Sequence, residues 1–251
     1  MPENLKSNLL SEFSHGFFLR HGGVSTGSFG SLNCDLKSSD SKSLVLANRE
    51  IVAKAMGVRP ENLITLKQVH SSKVIRIERS MDSNFLEGDA MVTSKVGLCI
   101  GVLTADCAPI LFAENEARII GVAHAGWKGS LDSIVENTVI KMIELGAKKN
   151  MISAVIGPCI QQKNYEVGAE FLDRFIYKDP KNRDYFIIDD KNKIWFDLPG
   201  LILRKLETIG INATTNIQKC TFGSRRDFFS YRRNQKSNLG DCGRMISTIK
   251  I

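Results

Sequence analysis

Three apolar runs follow one another almost without pause: 97–104 (GLCIGVLT), 109–113 (PILFA) and 118–124 (RIIGVAH). Each is rich in Ile, Val and Leu and too short for a globular helix, so each reads as a strand buried on both faces. The linking segments 105–108 and 114–117 leave no room for a helix between neighbouring strands. Further strand signals fall at 16–20, 62–69, 73–78, 152–158 and 243–251. Helices are expected over 43–56, stopped by Gly57, and over 131–145, with Ser130 as cap and Gly146 as stop. Two more are expected over 167–176 and from Asp197 to Gly210, the latter with Pro199 in its first turn. This irregular alternation predicts an α+β fold with mixed β-sheets rather than a doubly wound one. No linker or repeat interrupts the chain, so residues 1–251 are expected to form a single domain.

At 251 residues with 43% hydrophobic residues, the chain can bury a large core without covalent or metal staples. A metal site, if present, would therefore be functional. The net charge of +7 allows an anionic partner or simply a basic surface. The six cysteines, Cys34, Cys99, Cys107, Cys159, Cys220 and Cys242, form no CxxC pair, and the polar start MPENLKSNLLSEF has no apolar signal core. A cytoplasmic protein with reduced thiols is expected, with no membrane span. The segment 225–233 (RRDFFSYRR) mixes arginines with aromatics, but one such cluster is no nucleic-acid groove; it reads as a loop packing its aromatics inward with arginines facing a substrate phosphate, and no nucleic-acid partner is expected.

Among four histidines, His70 closes LKQVH at the exit of an expected strand, and His124 closes IIGVAH at a strand-to-helix turn. Cys107 lies in LTADCAPIL, just beyond another strand. Strand ends collect reactive groups over a rigid sheet. Two imidazoles and a thiolate suit zinc, and also copper, and three protein ligands leave a position open for chemistry. The same residues support a second reading without metal, in which Cys107 is a nucleophile, His124 its base, and Asp106 or Asp89 the orienting acid. With a metal, either aspartate could instead orient a ligand histidine or shuttle a proton. Lys128, in the HAGWKG turn before a helix, and Arg20 and Arg244 are candidate phosphate contacts. Trp127 can stack on a base or pack in the core.

Taken in order, RHGGVS (20–25), SLN (31–33), LKQVH (66–70), GDAMVT (88–93), LTADCAPI (103–110), AHAGWKG (123–129), IGPCI (156–160), YEVG (165–168), FDL (196–198), CTF (220–222), FFSYRR (228–233) and GRM (243–245) cover nearly the whole chain. On these motifs the chain resembles the multicopper polyphenol oxidoreductase, or laccase-domain, family, also known as YfiH/YlmD-like purine nucleoside phosphorylases. The resemblance implies a layered α/β/β/α sandwich, with His70, Cys107 and His124 as ligands of Zn2+ or, alternatively, Cu2+. It implies phosphorolysis of adenosine, inosine and S-methyl-5'-thioadenosine, with adenosine deamination. Its partners would then be a purine nucleoside and phosphate, handled by a monomer or small homo-oligomer. Older family names imply a copper-dependent polyphenol oxidase, and one bacterial member implies peptidoglycan editing, which would suit the Cys-His hydrolase reading. A single three-ligand site lacks the several coppers of a laccase. The polar insert NQKSNLGDC before GRM departs from the family pattern and leaves the role of Arg244 open.

Overall fold

The computed structural model describes residues 2–80 and 86–251. The three apolar runs become β6 (Cys99–Thr104), β7 (Ala108–Glu114) and β8 (Ile119–Ala125). Every residue of β7 and β8 is buried. Alternation explains why: Ile110 and Phe112 face one core, Leu111 and Ala113 the core behind. β7 and β8 pair antiparallel, with Pro109 opposite His124 and Ala108 opposite Ala125.

Around that pair lies a six-stranded sheet in the order β13-β9-β7-β8-β5-β4, adding β4 (Val74–Arg76), β5 (Ala90–Thr93), β9 (Ile152–Ile156) and β13 (Ala213–Asn216). β6 leaves for a second sheet, ordered β1-β2-β14-β6-β3, with β1 (Asn4–Leu5), β2 (Ser14–Phe18), β3 (Leu63–Ile64) and β14 (Met245–Lys250). Both sheets are mixed, since β13·β9, β4·β5 and β3·β6 are parallel. The sheets stack face to face through Phe17, Ile100, Val102 and Ile249 on one side and Met91, Leu111, Ile120, Val122 and Val155 on the other.

Helices cover both outer faces. α1 (Lys42–Ala55) lays Val52 and Ala53 on Phe18, Leu63, Cys99 and Ile246. On the far side α3 (Ile134–Glu144) and α5 (Leu198–Thr208) cover the six-stranded sheet with Val135, Val139, Met142, Leu201, Ile202 and Leu206. The result is a single layered α/β/β/α domain, as the motifs implied. A small third sheet of β10 (Glu166–Val167), β12 (Ile194–Phe196) and β11 (Phe186–Ile188) sits beside α4 (Ala169–Lys178). It was not visible in the sequence, because its strands are only two or three residues long. Among the described helices, none is long and apolar enough to cross a membrane.

Three expected elements need correction. The helix placed at 131–145 is two helices, α2 (Trp127–Leu131) and α3, broken where Ser133 turns left-handed at φ 73°. Ser130 is therefore not a cap but a buried residue within α2. The strand placed at 62–69 pairs as a ladder only over Leu63–Ile64. Beyond it the chain leaves the ladder, and the Gln68 amide clasps the main chain of Leu103 with bonds of 2.8 and 2.7 Å. The helix expected at 167–176 begins instead at Ala169, because Val167 pairs with Ile194 in the small sheet.

Candidate metal centre

The ends of three chain segments converge at one edge of the sandwich. His124 leaves β8, Cys107 sits in the turn from β6 to β7, and His70 stands on the loop before β4. One potential ligand atom from each lies within 4.8 Å of the other two. Cys107 Sγ is 4.0 Å from His70 Nε2, and the two imidazole rings meet edge to face at 4.7 Å. Donor chemistry fits a metal, since zinc bonds to imidazole nitrogen and thiolate run to about 2.0–2.3 Å. Small inward rotations would close the group on an ion.

Asp89 organises this arrangement. It is fully buried after the Gly88 turn. Its Oδ1 accepts His124 Nδ1–H at 2.8 Å and the His70 N–H at 3.0 Å. Its Oδ2 accepts the Val69 and Ser71 N–H groups at 3.2 and 2.7 Å and the Ser71 hydroxyl at 2.7 Å. One carboxylate thus fixes both the loop that carries His70, itself left-handed at φ 59°, and the ring of His124, whose Nε2 remains for the cluster. Burial alone would raise the Asp89 carboxyl, but the bonds from His124 and Ser71 outweigh it and hold the group at about 2. Burial likewise opposes ionisation of Cys107 and His124. Their mutual attraction prevails, with His70 adding to it at the thiol and Asp89 at the imidazole. The Cys107 thiol falls to about 6 and His124 rises to about 9.

Gly126 has a role that its sequence context did not reveal. A Cβ there would lie 2.9 Å from Cys107 Sγ and 3.1 Å from His70 Cδ2, so only glycine lets the thiol and imidazole approach.

The cluster opens into a cavity of about 380 Å³ whose wall includes Lys37, Gln68, Thr104, Tyr231 and Arg244. Arg244, one of the candidate phosphate contacts, is therefore present, its guanidinium 5.7 Å from the Tyr231 ring. Lys37 and Tyr231 were not anticipated, and nothing in DLKSSD marks that lysine as distinct from any other. Other candidates go elsewhere. Asp106, left-handed at φ 95°, turns its carboxylate away to accept from Thr221 Oγ1, Ser230 Oγ and the Arg232 N–H at 2.6, 2.9 and 2.7 Å. It anchors the C-terminal loop instead of facing the cluster. Lys128 is exposed on α2 and Arg20 lines a separate cavity, so neither borders this one. Trp127 packs on Phe171 at 5.0 Å and is part of the aromatic core of α4. The remaining histidines are accounted for: His15 Nε2 accepts the Ser7 N–H, and His21 pairs with Asp227.

A four-layer α+β sandwich with a His-Cys-His group at its strand ends defines a protein built around a potential metal centre. The family model described as multi-copper polyphenol oxidoreductase laccase matches residues 14–251, and the chain belongs to that family. A Deinococcus radiodurans protein named purine nucleoside phosphorylase is 36% identical over 237 residues, 94% of this chain and 88% of that one. A Rickettsia prowazekii protein of the same name is 38% identical over 208 residues, covering 82% and 85%. Among solved structures, YfiH of Bacillus licheniformis superposes with a TM-score of 0.91 at 27% identity, covering 100% of this chain and 97% of that one. YlmD of Geobacillus stearothermophilus gives 0.87 at 25% identity, covering 97% and 93%.

Proposed function

We propose that the protein is a metal-dependent purine nucleoside phosphorylase acting at the His70–Cys107–His124 cavity. The observation that carries this reading is a pair of cationic side chains, Lys37 and Arg244, set beside Asp35 on the wall of the cavity that holds the donor cluster, with Arg244 also paired to Asp241. Relatives named for this reaction support it over most of the chain length. Lys37 and Arg244 would hold phosphate, and the ring of Tyr231 would form a side wall for the base. Phosphate would attack C1′ of the ribose with departure of the purine, a transition state with positive charge on the sugar that an adjacent anion stabilises. A bound zinc or copper ion would supply Lewis acidity toward an oxygen of phosphate or water. Asp89 would keep His124 in one tautomer. Adenosine, inosine and S-methyl-5'-thioadenosine are the proposed substrates, with adenosine deamination as a side activity.

The order Asp89–His124–Cys107 also supports a second reading, a Cys-His hydrolase in which the depressed Cys107 thiol attacks an acyl carbon. One experiment separates the two. Purified protein of measured metal content is given adenosine with and without phosphate. Adenine and ribose 1-phosphate should appear only with phosphate and disappear when metal is stripped. Absence of these products and of inosine from fully loaded protein would sink the phosphorylase reading. Phosphorolysis that survives in stripped protein would sink the metal dependence, whereas cleavage of an acyl substrate by stripped protein, lost in Cys107→Ser, would favour the hydrolase.

A further inference from the structure

A second cavity, of about 320 Å³, lies across the short helix α6 (Tyr231–Lys236) from the donor cluster. Tyr231 borders the first cavity, whereas Arg233 and Asn234 border the second. Arg20, Arg225, Arg233 and Ser28 also line it, and no carboxylate does. It unites the glycine-rich turn after Arg20 with Arg225, Phe229 and Arg233 of the arginine-aromatic segment, none of which lines the metal cavity.

The guanidinium groups are held in place by main-chain carbonyls. Arg20 donates to Gly30 O at 2.7 Å from Nε and to Arg225 O, and its plane lies 4.4 Å over the Phe229 ring. Arg233 donates to Thr221, Phe222 and Phe228 carbonyls at 2.8, 2.9 and 2.6 Å. Carbonyls fix orientation but neutralise nothing. Asp227 is paired with His21 and Ser224, and Asp106 attracts Arg233 while bonding Thr221, Ser230 and the Arg232 N–H, so one carboxylate charge faces the three guanidinium groups from outside the cavity wall. Among the described residues the Arg225 side chain has no hydrogen-bond or ion-pair partner. Burial first, then the charges of Arg233 and Arg225, push the Arg20 guanidinium below its ordinary value, against an opposing pull from Cys242.

We propose that this arginine-lined cavity is an anion site for a phosphate group, either inorganic phosphate or the phosphate of a small monoester, distinct from the metal cavity. Rigid guanidinium forks match phosphate oxygens better than a hydrated ammonium would. The cavity volume admits phosphate or a sugar phosphate but not a polynucleotide. The inference does not rest on the phosphorylase reading.

The test is thermal unfolding of the full chain at fixed ionic strength, with inorganic phosphate, ribose 5-phosphate or chloride added. A ligand at about ten times its Kd should raise Tm by roughly 3–5 °C. Phosphate raising Tm identifies the free ion, and ribose 5-phosphate alone raising it identifies a monoester; either supports the site. Arg225→Gln should raise Tm in phosphate-free buffer, because a repulsive charge is removed, and should abolish the gain from the ligand. Ser28→Glu, placing a fixed carboxylate on the wall, should do the same. Because the metal cavity is itself proposed to hold phosphate at Lys37, these variants are read in a Lys37→Gln background, where the gain that remains should be lost on adding Arg225→Gln or Ser28→Glu. The site is refuted if chloride matches both phosphates, if neither phosphate raises Tm in that background, or if the gain there survives Arg225→Gln.

Discussion

Two buried aspartates flank the turn-ends of the metal centre, and they do opposite things. Asp89 gathers five donors, every one from the 69–71 loop or from His124. Asp106, adjacent to Cys107 in sequence, gathers three donors, every one from the C-terminal segment 221–232. Proximity along the chain is thus a poor guide to which carboxylate serves the thiol. The left-handed turn at Asp106 sends successive side chains in different directions, so Cys107 enters the cluster while its neighbour ties down the wall.

The comparison is sharpest in metal affinity. Asp89→Asn keeps the shape but removes the charge that orients His124, and outer-shell partners of this kind are worth about 10–100-fold in affinity or activity. Competition with a chromophoric chelator should show that loss for Asp89→Asn and wild-type affinity for Asp106→Asn. Equal losses in both would erase the distinction drawn here.

A smaller effect, about tenfold, is expected for Gly126→Ala, on the scale of the transition-state cost of a slight misplacement. The added methyl meets Cys107 Sγ and His70 Cδ2, whereas the backbone at Gly126, φ −76°, is open to any residue. Metal stoichiometry and turnover should therefore fall while the circular dichroism spectrum and Tm stay close to wild type. A collapse of Tm would mean that the glycine serves the fold rather than the cluster.

The pH dependence of the thiol gives a third contrast. In metal-stripped protein, alkylation of Cys107 by iodoacetamide should follow a midpoint at about 6, because burial is overridden by His124 and His70. Asp89→Asn weakens the cationic form of His124, so the midpoint should climb toward the ordinary thiol value of 9.0. Asp89 itself, held at about 2 against an ordinary 3.8, contributes stability that is complete above the ordinary value and is lost as pH falls through about 2. The alkylation window therefore reads His124 and not the titration of Asp89. Asp106→Asn should leave the midpoint unmoved.

How much of this was legible beforehand follows from range. Continuous apolar runs are a local signal, so β6, β7 and β8 were visible as strands buried on both faces, and the helices α1 and α5 with their glycine stops were visible as well. The break at Ser133 was not, since serine carries no signal for a left-handed turn. His70, Cys107 and His124 were candidates individually, but spacing could not bring them together; the ordered motifs did. What stayed hidden were properties of approach: Gly126 making room for a sulfur, Lys37 arriving from a distant loop, and the two aspartates pointing apart.

The smallest expected effect concerns Asp106 alone. Its carboxylate is buried and charge-assisted bonds of this kind contribute about 1.5–3 kcal/mol each, partly offset by the cost of burying the charge. Asp106→Asn can keep its oxygen where Oδ2 serves both Ser230 and the Arg232 N–H and turn its amide nitrogen to Thr221 Oγ1, so what it loses is the charge on all three bonds. Urea unfolding should therefore report a loss of about 1–3 kcal/mol, with metal affinity retained. Because Arg232 opens the helix that carries Tyr231 and Arg233, the loosening should also appear as faster amide exchange across 230–236 while β7 and β8 stay protected. Faster exchange at 69–71 instead would place Asp106 in the same network as Asp89, and the two carboxylates would then have to be treated as one unit.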